Sequence, residues 1–129
     1  MSDPKYHQTY LMVRDIDQSI QFYSELIGLS VNQRGKRSAT VNAGAGELKF
    51  EQDFDPETLD AFGLDPPGAD RGAGLIIGIQ VDTLDPVYDR LKEADADLLI
   101  EPREVDWGRE LFLVQDPDGY VLEVSRPIE

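Results

Sequence analysis

Asp116-Pro117-Asp118-Gly119-Tyr120-Val121-Leu122-Glu123-Val124 is the stretch on which the fold of this chain turns. Asp116 and Pro117 open a tight turn, and Gly119 supplies the positive φ that closes it. From Tyr120 onward aromatic and β-branched residues dominate, which is strand composition. Side chains alternate along a strand, so Leu122 and Val124 share the core face while Val121, Glu123 and Ser125 take the other. A carboxylate flanked by Val121, Leu122 and Val124 faces either solvent or a site.

Upstream of that strand the same plan occurs twice. Gln8–Val13 alternates as a strand, Asp15 or Asp17 caps a helix with Ile20, Tyr23, Leu26 and Ile27 on its apolar face, and Gly28 ends it. Strands follow over Leu29–Arg34, Ser38–Ala43 and Glu47–Gln52, with turns at Gly35-Lys36 and Gly44-Ala45-Gly46. The second round starts with a strand over Leu75–Val81. Asp85 then caps a helix whose first residue is Pro86 and whose buried stripe is Val87, Leu91 and Ala94. Leu98–Pro102, Glu110–Gln115 and Tyr120–Ser125 complete it. The helix starts Val13-Arg14-Asp15-Ile16-Asp17 and Val81-Asp82-Thr83-Leu84-Asp85 correspond. These boundaries predict one 129-residue domain of α+β class, with module one over about 6–53 and module two over about 74–127. The 54–73 segment between them, rich in Asp, Pro and Gly, is a linker or lid with a helical turn after Pro56.

Composition excludes several functions. With 26 acids against 12 bases the net charge is -14, which repels a phosphate backbone and argues against a nucleic-acid partner. The acids are dispersed, as in a high-salt cytoplasm or simply a very soluble protein. There is no cysteine, hence no disulfide and no thiolate metal site. No apolar run approaches membrane-spanning length and Met1–Tyr6 does not read as a signal peptide, so the expectation is a cytoplasmic protein without a membrane partner.

Three stretches carry a family resemblance: Gln8-Thr9-x-x-x-Val13-x-Asp15, Ser19-Ile20-x-Phe22-Tyr23-x-x-x-Ile27-Gly28-Leu29, and Asp116-Pro117-Asp118-Gly119-Tyr120-x-x-Glu123. Together they resemble the vicinal oxygen chelate superfamily, the group of glyoxalase I, bleomycin-resistance proteins and extradiol dioxygenases. The resemblance covers almost all of the chain outside the linker. It implies two tandem βαβββ modules whose curved mixed sheets form a cup around a small ligand, commonly in a homodimer.

In glyoxalase-like members four positions on the first and last strands of the modules hold a divalent metal. The resemblance puts them on Gln8, Glu47, Ile76 and Glu123, with Glu51 competing with Glu47. Ile76 replaces a histidine and cannot ligate, which leaves two carboxylates and an amide. Such a set suits at most weak Mg²⁺ or Mn²⁺ and disfavours Zn²⁺ or Ni²⁺. His7 is the only histidine, so the 2-His-1-carboxylate triad of an extradiol dioxygenase cannot be built. By alternation His7 points away from the cup.

Tyr10, Met12, Gly78 and Gln80 share the cup face with Gln8 and Ile76. Trp107 lies in the loop where related resistance proteins place a pocket residue, or else packs at the rim. Arg37, Arg103 and Arg109 could clamp an anion or form surface ion pairs. Two functions follow. The first is a binder that encloses a small organic ligand in an apolar cup with no tightly bound metal. The second is a metal-dependent lyase or isomerase using Gln8, Glu47 and Glu123, with Glu123 or Glu47 moving the proton.

Overall fold

Alternation in Thr-Tyr-Leu-Met-Val makes the first strand, β1 (Thr9–Val13), with Leu11 and Val13 buried and Tyr10 exposed. In this computed structural model, which describes residues 3–42, 46–69 and 71–128, the chain gathers into two compact units. Unit one is the chain up to Glu25 with Leu29–Pro66; unit two is Leu26–Gly28 with the chain from Pro67 onward. Each carries a four-stranded mixed sheet in strand, helix, strand, strand, strand order, so the fold is α+β with two βαβββ modules.

In unit one, Asp15 caps α1 (Ile16–Ile20): its carboxylate accepts from the N–H groups of Asp17 and Gln18 at 2.9 and 3.2 Å. The helix then widens into a π-helical stretch over Gln21–Ile27. Widening moves the buried face. Ser19 and Tyr23, spaced four apart, are buried in unit one with Ile16 and Phe22, Ile27 is buried where the chain enters unit two, and Ile20 and Leu26 of the expected stripe are only half-buried. Within this stretch Ser24 donates its hydroxyl back to the Ile20 carbonyl at 2.7 Å, a bond of the kind that often bends helices.

β2 (Ser30–Arg34), β3 (Ser38–Asn42) and β4 (Glu47–Gln52) complete this sheet in the order β1-β4-β3-β2, with β1 and β4 parallel. Leu48 and Phe50 enter the core, where the Phe50 ring lies 4.6 Å from that of Tyr23. Of the turn expected at Gly44-Ala45-Gly46, only Gly46 belongs to the described residues. Asp55 caps α2 (Pro56–Ala61), accepting from Thr58 N–H at 2.8 Å, with Pro56 in the first turn.

In unit two, β5 (Ile76–Gln80), β6 (Asp97–Val105), β7 (Arg109–Gln115) and β8 (Val121–Pro127) form the order β5-β8-β7-β6, again with the first and last strands parallel. The helix α3 (Asp85–Glu93) corrects two expectations. Leu84, not Asp85, occupies the cap position and makes no side-chain bond; Asp85 sits inside the first turn, where its charge favours the helix dipole. Val87 and Leu91 are buried, but Ala94 is exposed because the helix ends at Glu93. Val81 lies beyond the end of β5 and is half-buried. Phe112, Val114, Leu122 and Val124 are fully buried, and the Tyr88 ring of α3 meets Phe112 edge-on at 5.2 Å.

The opening motif is a built turn. Buried Asp116 accepts from the N–H groups of Asp118 and Tyr120 at 2.8 and 2.9 Å, while Gly119 takes φ +95°. Asp118, also buried, lies 3.7 Å from the Arg71 guanidinium. Beside it Gly72 abuts Tyr120, where a Cβ would come within 2.5 Å of the ring. Among the described residues no helix is long and apolar enough to cross a membrane.

Candidate functional site

On the sheet face of unit one away from its core, β1 and β4 run parallel with Tyr10 opposite Lys49 and Met12 opposite Glu51. Gln8, one residue before the strand, donates its amide to Glu47 Oε1 at 3.2 Å. Asn32 donates to Glu47 Oε2 at 2.9 Å. The β2–β3 register shifts between Val31 and Gln33, and this bulge leaves Asn32 outside the ladder. These two hydrogen bonds, Asn32 first and Gln8 second, hold the Glu47 carboxyl below its usual range against the opposing effect of desolvation, with the charge of His7 adding to them. His7, Gln8, Tyr10, Asn32, Thr40, Glu47 and Lys49 surround a hollow of about 590 Å³. His7 is therefore on this face, contrary to the alternation argument: β1 begins only at Thr9, so the strand period does not extend back to it.

Lys49 is the hub of the face. Its ammonium lies 5.4 Å from the centre of the Tyr10 ring and 3.2 Å from Glu51. Met12 continues the row, half-buried.

On the corresponding face of unit two, Ile76 pairs with Val121, Gly78 with Glu123 and Gln80 with Ser125. Ile76 is 60% exposed. It lines an apolar hollow of about 750 Å³ with Leu75, Leu99, Leu113 and Val121. Glu123 follows Val121 on the same face, half-buried between Gly78 and Leu113, and a side chain added at Gly78 would meet nothing. Arg109 is already engaged: its Nε donates to Ser125 Oγ at 3.0 Å and its Nη2 to Gln80 Oε1 at 2.5 Å. Trp107, in the turn between β6 and β7, is 66% exposed. In unit one Arg37 is held similarly, by the Asp53 carbonyl at 2.6 Å.

The family model for the Glyoxalase/Bleomycin resistance protein/Dioxygenase superfamily matches residues 5–124. The chain belongs to this superfamily. A probable lactoylglutathione lyase of Vibrio cholerae is 31% identical over 131 residues, covering 96% of this chain and 91% of its own. Among solved structures, a glyoxalase/bleomycin resistance protein/dioxygenase from Nocardioides superposes with a TM-score of 0.71 at 18% identity, covering 100% of this chain and 87% of that one. A glyoxalase-related enzyme from Fulvimarina pelagi gives 0.78 at 20% identity, covering 95% and 87%. At such identities the two structures share the fold.

Within this glyoxalase-superfamily chain the two parallel strand pairs can be compared register by register. Aligning Val13 with Val81 sets Gln8 on Ile76 and Tyr10 on Gly78. Since Tyr10 faces Lys49 and Gly78 faces Glu123, the β4 residue that corresponds to Glu123 is Lys49, while Glu47 corresponds to Val121. The donors do not suit the metal that glyoxalase-like members hold. Ile76 offers no lone pair, Lys49 offers a cation, and Gln8 and Asn32 turn amide nitrogens toward Glu47. Among the described residues no three His, Cys, Asp or Glu side chains cluster for a metal.

Asn32, Thr40 and the hydrophobic wall of Leu75, Leu99 and Leu113 were not singled out from the sequence. Alternation along β7 could have found Leu113, two residues before Gln115 on the same face. Asn32 is reached only through its bulge.

Proposed function

We propose that the protein is a small-molecule binder that takes an apolar organic ligand in the unit-two hollow and holds no transition metal tightly. The observation that carries this reading is Ile76, exposed on the floor of that hollow at the position where glyoxalase-like members have a histidine. A hollow of about 750 Å³ is the size of a small-molecule site, and its wall of Leu75, Ile76, Leu99, Leu113 and Val121 favours apolar ligands. Covering Ile76 alone contributes about 1–2 kcal/mol to such binding. Glu123 lies two residues beyond Val121 on the same face, outside the wall of the hollow, where its carboxylate can meet a polar group of a ligand that extends past Val121 toward Gly78.

The test is a ligand screen read by amide NMR shifts. The reading expects hits whose shifts centre on Ile76, Leu99, Leu113 and Val121, and their loss in Ile76→Asp. Hits that ignore Ile76→Asp would overturn it.

The names of the relatives favour a second reading, a lyase dependent on weakly bound Mg²⁺ or Mn²⁺ in which a carboxylate, Glu47 of unit one or Glu123 of unit two, serves as base. A lactoylglutathione lyase assay with each dication separates the two, since the binder reading expects no turnover. A homodimer in the cytoplasm fits either reading and belongs to the same proposal; sedimentation at micromolar concentration tests the dimer.

A further inference from the structure

Acids outnumber bases by 26 to 12 in this chain, yet one polar hollow has two cations and no carboxylate in its wall. It measures about 470 Å³ and lies on unit one where the β2–β3 hairpin meets β4, lined by Gln33, Arg34, Ser38, Thr40 and Lys49 with Gly35 and Ala39. We propose that this hollow is an oxyanion site, taking the carboxylate or phosphate group of a small organic ligand.

Charge and register support this assignment. Thr40 stands opposite Lys49 in the β3–β4 ladder, and Ser38 lies two residues along on the same face as Thr40. On the other side the bulge brings Gln33 opposite Thr40. A lysine ammonium, two hydroxyls and an amide thus converge on neighbouring strands. Both cations of the wall have carboxylate partners, Glu51 for Lys49 and Asp17 for Arg34, but neither partner lines the hollow. Glu51 stands opposite Ser38 at the edge of the wall, so an anion in the hollow would compete with it for Lys49.

Thr40 supplies an independent sign. It is only 6% exposed, and its hydroxyl is buried with no hydrogen-bond partner. Buried polar atoms in folded proteins almost always have a partner, so this hydroxyl lacks one that an oxyanion would provide. Lys49, on a flexible stem beside it, can swing its ammonium onto the same anion and leave Tyr10 and Glu51. Charge-assisted bonds of this kind are the strong class. The site does not depend on the apolar hollow of unit two.

The full-length protein is titrated with sodium benzoate and, separately, with inorganic phosphate, each against sodium chloride of matched ionic strength, with amide NMR as readout. The proposal expects saturable shifts at Gln33, Ser38, Thr40 and Lys49 that chloride does not reproduce. A response to benzoate alone identifies a carboxylate ligand, and to phosphate alone a phosphate ligand. Lys49→Met should weaken binding about tenfold or more. Thr40→Val should weaken it while Thr40→Ser retains it, and this pair decides the matter if Lys49→Met does not fold. Shifts equal to those of chloride, shifts that never saturate, or affinity unchanged in Lys49→Met and Thr40→Val would each overturn the assignment.

Discussion

Gln8 reaches Glu47 with a 3.2 Å amide-to-carboxylate hydrogen bond, joining the residue before β1 to the first residue of β4. Together with the shorter bond from Asn32 it engages both carboxylate oxygens and turns both amide nitrogens toward Glu47.

That arrangement has a pH signature. The folded-state pKa of Glu47 is lowered, by Asn32 most and Gln8 next. A lowered pKa means stability that is present above the unfolded-state value and is lost as pH falls through the folded one. Asn32→Leu should therefore raise the Glu47 pKa toward that of an ordinary glutamate and remove part of the acid-limb dependence. Carboxyl-carbon NMR titration measures it, and an unmoved Glu47 in Asn32→Leu would contradict the assignment of the cause.

The Asp116 turn should matter for stability. Its carboxylate accepts two backbone N–H groups in a buried setting. Asp116→Ala leaves both donors without it and should cost about 2–3 kcal/mol. Urea unfolding reads this directly; a loss under about 0.5 kcal/mol, the range of surface changes, would mean the turn closes without it.

Adjacent residues of β8 should behave oppositely. Leu122 is fully buried, so Leu122→Ala should cost about 2–5 kcal/mol. Glu123→Gln changes a half-buried residue on the other face and should stay within about 0.5 kcal/mol. Equal effects of the two substitutions would show that the alternation of this strand is misassigned.

A net charge of -14 predicts a salt response. Screening weakens self-repulsion, so the thermal midpoint should rise by several degrees between about 0.05 M and 1 M salt, where the screening length drops to roughly 3 Å. A flat or falling midpoint would confine the acidic surface to a role in solubility.

Much of the fold was legible because its strands have one dry face. Leu122 and Val124 alternate with Val121, Glu123 and Ser125 and were expected in the core where they lie, and Leu48 and Phe50 obey the same alternation. Asp15 announces its helix by capping chemistry, and Pro56 marks the start of the short helix in the linker. The rest depends on irregularities that no local pattern encodes. The π-helical stretch moves burial from Ile20 and Leu26 to Ser19, Tyr23 and Ile27. The bulge after Val31 carries Asn32 to Glu47, and the late start of β1 brings His7 to the same face. The match of Lys49 with Glu123 needed the register of two parallel pairs, which sequence spacing alone does not give.

Metal content after loading tests the central claim most directly. The purified protein is incubated with Zn²⁺ and, separately, with Ni²⁺, passed through gel filtration, and analysed for metal per chain. With Ile76 offering no donor, the account predicts far less than one equivalent of either metal. One equivalent retained by the wild-type protein and lost in Glu123→Gln would contradict it and make the protein a metal-holding member of its superfamily.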